Sequence, residues 1–190
     1  MKGLRLTVLV ENTAKGHGLL AEHGLSLWVE VGSQRVLFDT GQTDVVAHNA
    51  AMLGIGPGSA DAIVLSHGHY DHGGNLAWVV EQAPRATVHW HPAATKARYS
   101  IHEGNVREIG LPDAARQVLA ALPDDRRHHV SLPTELAPGL WLTGTVPRGT
   151  DFEDTGGPFF RDPQGQAADL LLDDMSLWYD TPDGLVVCLG

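Results

Sequence analysis

The chain has 190 residues, 43% hydrophobic and 19% charged, with 13 Lys plus Arg against 23 Asp plus Glu and a formal net charge of −10. That is room for one globular domain with a sizeable core. The negative balance argues against a broad nucleic-acid or anionic-membrane surface, both of which need clustered positive charge, though one or two arginines could hold a small phosphorylated substrate. The single cysteine, Cys188, cannot close an internal disulfide, and the opening apolar run is short and broken by Arg5, so a soluble, cytoplasmic protein is expected.

In chain order, "LRLTVLV" (4–10), "LSLWVEV" (25–31) and "RVLFDT" (35–40) are rich in Val, Leu, Trp and Phe and read as strands, the last two joined by a hairpin turn. "TDVVAHNAAMLG" (43–54) reads as a helix, with Val45, Val46, Asn49, Met52 and Leu53 at helical spacing, Thr43 or Asp44 as cap and Gly54 at its end. "DAIVLS" (61–66) is almost wholly apolar, as a strand buried on both faces should be. "NLAWVVEQA" (75–83) reads as a helix stopped by Pro84, "ATVHWH" (86–91) as a strand, and "PDAARQVLAAL" (112–122) as a helix with Pro112 in its first turn. Beyond it, "HHVSL", "GLWLTG", "SLWYDT" and "GLVVCLG" read as strands, the last two joined by the turn "TPDG". Residues 145–170, rich in Gly, Pro and Asp, read as a long loop of the kind that covers a site or moves. Strands and helices in this rhythm indicate an α/β layered fold, one domain over 1–190.

Between the strand at 61–66 and the helix at 75–83 lies "SHGHYDHGG" (66–74). His67 and His69 stand two apart, Asp71 follows two later and His72 adjoins it. Neutral imidazoles with a carboxylate suit zinc or a similar divalent ion. At a strand end, alternate side chains can converge on one ion while the adjacent pair turns to a second. The glycines let the backbone bend around them. The carboxyl end of a buried strand is also where open α/β layers hold ligands. A histidine-rich loop without an ion is the bland alternative, disfavoured by the buried strand before it and the glycines after it.

"LFDTG" followed by "IVLSHGHYDHGG" resembles the metallo-β-lactamase superfamily, a four-layered αββα fold of metal-dependent hydrolases. Within it, "VLVEN", "AEHGLSLWVE", "DAIVLSHGHYDHGGNL", "VHWHP" and "DDMSLWYDTPDGLVV" resemble a subgroup of which some members carry the name 7,8-dihydropterin-6-ylmethyl-4-(β-D-ribofuranosyl)aminobenzene-5′-phosphate synthase. The likeness runs through nearly the whole chain and is most specific between residues 20 and 75. It implies a metal-dependent hydrolase, or related transfer enzyme, with one or two zinc ions, manganese and iron being the alternatives. His67 and His69 would ligate the first ion, Asp71 and His72 the second. Asp39 would hold the metal loop by hydrogen bonds, although an aspartate between a strand and a turn needs no such role. A site of this kind activates water near neutral pH, and Asp71 would orient that water or take its proton. The implied substrate is a small molecule, phosphorylated or an ester. The Asp71–His72 pair argues against a β-lactam, and His69 against the flavodiiron branch.

The pattern departs from the family in ligand count. A catalytic zinc normally has three protein ligands, and this sequence shows two per ion. The family's remaining histidines come later, the first just beyond the strand matching "GLVVCLG", where this sequence stops at Gly190. The expectation is therefore a fold incomplete at its carboxyl end. A rival from another class follows: a catalytically incomplete metal-binding remnant, or a half-domain needing a partner chain, with its last strand an edge open to self-association. Among the other candidates, His89 and His91 flank Trp90 and would share a strand face, His91 matching the family's "HP" position or being satisfied by backbone. His23 is a substrate-pocket candidate, and His128 and His129 read as a solvated run beside Arg126 and Arg127. Arg148 would hold a phosphate or carboxylate, or pair with Glu153.

Overall fold

The computed structural model describes residues 3–150, 152–153 and 156–190. Strands β1 (Leu4–Val10), β2 (Ser26–Val31) and β3 (Gln34–Phe38) run antiparallel, and β4 (Ala62–Val64), β5 (Thr87–Trp90) and β8 (Arg127–His129) continue the sheet in parallel, giving the order β1-β2-β3-β4-β5-β8. Connections between the parallel strands carry helices α1 (Val45–Met52), α3 (Leu76–Gln82) and α4 (Asp113–Ala121). A separate helical turn, α2 (Tyr70–Gly73), holds the second half of the histidine motif.

Alternation along the central strands divides two cores. Trp28, Leu37, Ile63, Val88 and Trp90 face α1, α3 and α4, whereas Val29, Val31, Val36, Phe38, Ala62 and Val64 face a second sheet. That sheet has the order β13-β12-β10-β9, from β9 (Thr134–Ala137), β10 (Leu140–Leu142), β12 (Leu177–Thr181) and β13 (Gly184–Cys188). Burial on both faces is why β4 and the second half of β3, Val36–Phe38, are apolar rather than alternating with polar residues. The layers are helix, sheet, sheet, and no described helix contributes to the second core. A smaller sheet, β11-β6-β7, is built from β6 (Tyr99–His102), β7 (Asn105–Glu108) and β11 (Phe159–Phe160).

Several expectations need correction. Met52 and Leu53 are exposed, and Asn49 holds α1 to the sheet instead, through hydrogen bonds to Leu9 O and Leu20 O of 2.6 and 2.8 Å. Pro112 caps α4 from outside rather than sitting in its first turn. The strand expected at "HHVSL" (128–132) starts one residue earlier and ends three residues earlier, as Arg127–His129. His91 lies beyond β5 and caps a 3₁₀ turn, its Nδ1 accepting from Ala93 N at 3.1 Å, so it does not share a strand face with His89. The region 145–170 is not wholly loop, because Phe159 and Phe160 pair with Ser100 and Tyr99.

Candidate metal centre

The parallel strands deliver their carboxyl ends to one edge: Asp39 follows β3, Ser66 and His67 follow β4, and His91 follows β5. Asp39 is fully buried with φ 60, in the left-handed region that aspartate tolerates better than most side chains. Its carboxylate accepts from Ser66 N at 2.7 Å, from Ser66 Oγ at 2.7 Å and from His72 Nδ1 at 2.8 Å. Since the Ser66 hydroxyl hydrogen goes to Asp39, His67 Nδ1, 2.9 Å from Ser66 Oγ, donates to that oxygen. The relay fixes both tautomers: the Nε2 lone pair of His67 and, in the neutral ring, that of His72 are left facing inward.

The rings then converge. His67 lies 4.5 Å from His69 and 4.2 Å from His72, centroid to centroid, and His67 Nε2 is 3.0 Å from His69 Nδ1. His72 Nε2 is 3.7 Å from Asp71 Oδ2. Burial, reinforced by the neighbouring imidazoles and Arg98, holds His67 well below the usual histidine range. Burial and then the Arg98 charge push His69 down to about 4. Burial also works against the charged form of His72, but the charge and hydrogen bond of Asp39, with Asp71 and Asp174, outweigh it and raise its pKa.

Behind the motif is a buried ionic network that the sequence reading missed. Gly68 N donates to Asp173 Oδ2 at 2.8 Å, and Arg98, itself fully buried, pairs with both Asp173 and Asp169. Arg161 closes it on Asp169 at 2.7 Å. A β-carbon on Gly68 would lie 1.9 Å from Ala94 O, so only glycine fits where the backbone passes between His67 and His69. Ser66 O accepts from Met175 N at 2.9 Å, tying the motif to the second sheet. Asp173 carries a weak sequence signal, a charge directly after the apolar run Leu170 to Leu172, whereas Arg98, in "TKARYS", carries none.

Of the remaining candidates, His23 does reach the site: its Nε2 is 3.2 Å from Asp71 Oδ2 and its Nδ1 3.2 Å from Asn12 Oδ1. Arg148 pairs with Asp174 at 3.5 Å rather than with Glu153, which instead accepts from Gly149 N and from the N and Oγ1 of Thr150. Arg148 and Asp174 line a cavity of about 400 Å³ with His67, His69, His72, Phe159 and Leu171. His91 bonds to Thr145 Oγ1 at 3.2 Å and does not line that cavity.

Among the described residues no group of three or more His, Cys, Asp or Glu side chains is arranged to hold an ion. The donors come in pairs. Two ligands of one tetrahedral zinc, at bonds of about 2.0–2.1 Å, lie roughly 3.3 Å apart. The His67–His69 and Asp71–His72 separations of 3.0 and 3.7 Å bracket that value. The other nitrogen of the His69 ring, Nε2, which takes no part in that pair, is buried without a hydrogen-bond partner. The donor chemistry and pair separations therefore suit a divalent ion, with two donors at each place and no third among the described residues.

The profile of the metallo-beta-lactamase superfamily matches residues 20–166. An uncharacterised protein of Methanocaldococcus jannaschii is 32% identical over 149 residues, covering 78% of this chain and 56% of that protein. The 7,8-dihydropterin-6-methyl-4-(beta-D-ribofuranosyl)-aminobenzene-5'-phosphate synthase of the same organism is 29% identical over 133 residues, 66% of this chain and 45% of the relative. A ribonuclease of Thermus thermophilus is 32% identical over 136 residues, 70% of this chain and 27% of its own. The chain thus spans about half, or less, of the length of these relatives. Among solved structures, a metallo-beta-lactamase from Cronobacter sakazakii superposes with a TM-score of 0.55 at 16% identity, covering 90% of this chain and 57% of that one. A subclass B3 metallo-beta-lactamase of Bradyrhizobium japonicum gives 0.52 at 19% identity, covering 87% and 55%. Identities this low bear on the fold alone, but the profile covers well over half the chain, and with the layered sheets and the histidine loop at their edge the conclusion is direct: this chain belongs to the metallo-beta-lactamase superfamily.

Proposed function

We propose that the chain is a metal-dependent hydrolase, or a related group-transfer enzyme, acting on a small ester or phosphorylated substrate. One observation carries the reading: His67, His69 and His72 pack ring against ring on a cavity that also presents Arg148. His67 with His69, and Asp71 with His72, would hold divalent ions, zinc first and manganese or iron as alternatives. Such ions would supply Lewis acidity and a water activated near neutral pH.

The chain's own groups do the rest. Asp71 Oδ2, set between His23 and His72, is placed to orient the attacking water and accept its proton. His23, anchored on Asn12, directs that carboxylate. Arg148 offers its planar fork to an anionic substrate group, with Asp174 beside it. The two named relatives, a 5′-phosphate synthase and a ribonuclease, support a phosphate-bearing substrate over a β-lactam, and the net charge of −10 favours a small one over a polynucleotide.

A second reading, a catalytically incomplete metal-binding remnant or a half-domain needing a partner chain, is favoured by the lack of any three-donor group among the described residues. Turnover separates the two. The chain loaded with zinc or manganese should hydrolyse aryl esters or phosphodiesters, and His67→Ala and Asp71→Asn should abolish this. Absence of hydrolysis with either ion, in protein shown to be folded, contradicts the enzyme reading.

A further inference from the structure

On the far side of His69 from the Arg148 cavity lies a second hollow of about 290 Å³, and His69 and Phe159, ring centroids 5.2 Å apart, line both. One wall is built by the small sheet, and the other carries His23 and Asp71, so the hollow opens directly onto the carboxylate proposed to handle the attacking water. Phe159 pairs in register with Ser100, and Ser100 with Arg107, so these three form one row across β11, β6 and β7. Residues directly opposite across strands project from the same face, and all three line the hollow together with Tyr70. The row therefore presents an apolar ring, a hydroxyl and a guanidinium in line, starting at the ring that touches His69. Arg107 lies over the Tyr70 ring at 4.7 Å and has no carboxylate partner among the described residues. An exposed guanidinium left without a carboxylate in a chain of net charge −10, beside a hollow, is positioned for an external anion. Its planar fork matches carboxylate or phosphate, and stacking on Tyr70 limits the freedom lost on binding.

We infer that the row Phe159–Ser100–Arg107 is a second substrate subsite, which takes the part of the substrate opposite the Arg148 cavity and recognises an apolar body ending in an oxyanion. The inference rests on the hydrolase reading for the word substrate, not for the binding itself. The apolar body lies on Phe159, Ser100 donates its hydroxyl, and Arg107 closes on the carboxylate or phosphate. Substrates charged at both ends would then span the imidazole cluster, with the reacting bond held at His69.

The test is calorimetric titration of the metal-loaded chain with benzoate and with phenylphosphonate, benzyl alcohol serving as the uncharged control. Both anions should bind more tightly than the alcohol. Arg107→Gln should weaken them about tenfold, as loss of a charge-assisted hydrogen bond does at a partly exposed site, while Arg107→Lys retains part of the affinity. Ser100→Ala should weaken them by a smaller factor. A stronger response to benzoate assigns the site to carboxylates, and a stronger response to phenylphosphonate assigns it to phosphates. Equal binding by the wild type and Arg107→Gln overturns the subsite whatever the catalytic activity. Arg107-dependent binding without hydrolysis of any ester or phosphodiester instead overturns the hydrolase reading and leaves the anion site standing.

Discussion

His67 and His72 share one anchor, the buried carboxylate of Asp39, reached directly by His72 and through the Ser66 hydroxyl by His67. This economy makes single residues decisive. Gly68→Ala would place a methyl against Ala94 O and should cost ~3 kcal/mol, read as a lower urea midpoint. His89 supplies a pH effect outside the site. It is stacked on His128 at 4.7 Å, with Thr87 Oγ1 2.9 Å from its Nε2, and burial followed by the charge of His128 pushes its pKa down to about 4. An unfolded histidine titrates near ~6.5, so the unfolded chain takes the proton first. The stability that neutral His89 contributes is present above that pH and lost as pH falls towards the folded value. The loss between pH 7.5 and 4.5 should be about 2–3 kcal/mol, and the urea midpoint of His89→Gln should fall correspondingly less over that range. At this scale the sequence was readable where chemistry is dense. The spacing of "HGHYDH" places four donors in one loop, and the structure sets them in two close pairs. Ser66 escaped notice because a lone serine carries no pattern, although its position beside the motif determines what its hydroxyl does.

The elements foreseen were those with a strong apolar signal, periodic in the helices and dense in the strands. Strands β2, β3 and β4 could be read because each holds consecutive buried apolar residues, Trp28 and Val29, Val36 to Phe38, and Ala62 to Val64, that face the two cores in turn. The β6–β7 hairpin and β11 were not foreseen. Their residues are half-buried or exposed, "NVRE" wholly exposed, and such strands are held by pairing rather than by apolar pattern. The hairpin matters because Arg98, which leads into it, enters the interior. Arg98→Met would leave Asp169 and Asp173 buried beside an uncharged side chain. The expected loss is ~3–5 kcal/mol. Combined with Asp173→Asn, which removes one of those charges, the loss should be smaller than the sum of the single changes. Chemical denaturation of the three variants measures the coupling, and additive losses would mean that the network contributes no joint interaction.

Across the whole molecule, two sheets face each other with helices on one side, and the site lies where the parallel strands end. The fold class could be read from the alternation of strands and helices, whereas the partition into two cores required knowing which faces meet, a long-range fact that no local pattern encodes. No described helix is long and apolar enough to cross a membrane. The chain spans about half the length of its relatives, so its activity has to be measured on this chain itself. If ions bind the folded state, zinc at a hundredfold excess over its Kd should add ~2.7 kcal/mol to stability, visible as a rise in Tm that His67→Ala abolishes. The most direct test is the metal content of the purified chain after exhaustive dialysis, measured by elemental analysis beside a His67→Ala/His72→Ala variant. One or two divalent ions per wild-type chain, and none in the variant, is the expected result; wild-type protein that retains no more metal than the variant would contradict the assignment of this histidine loop as a metal centre.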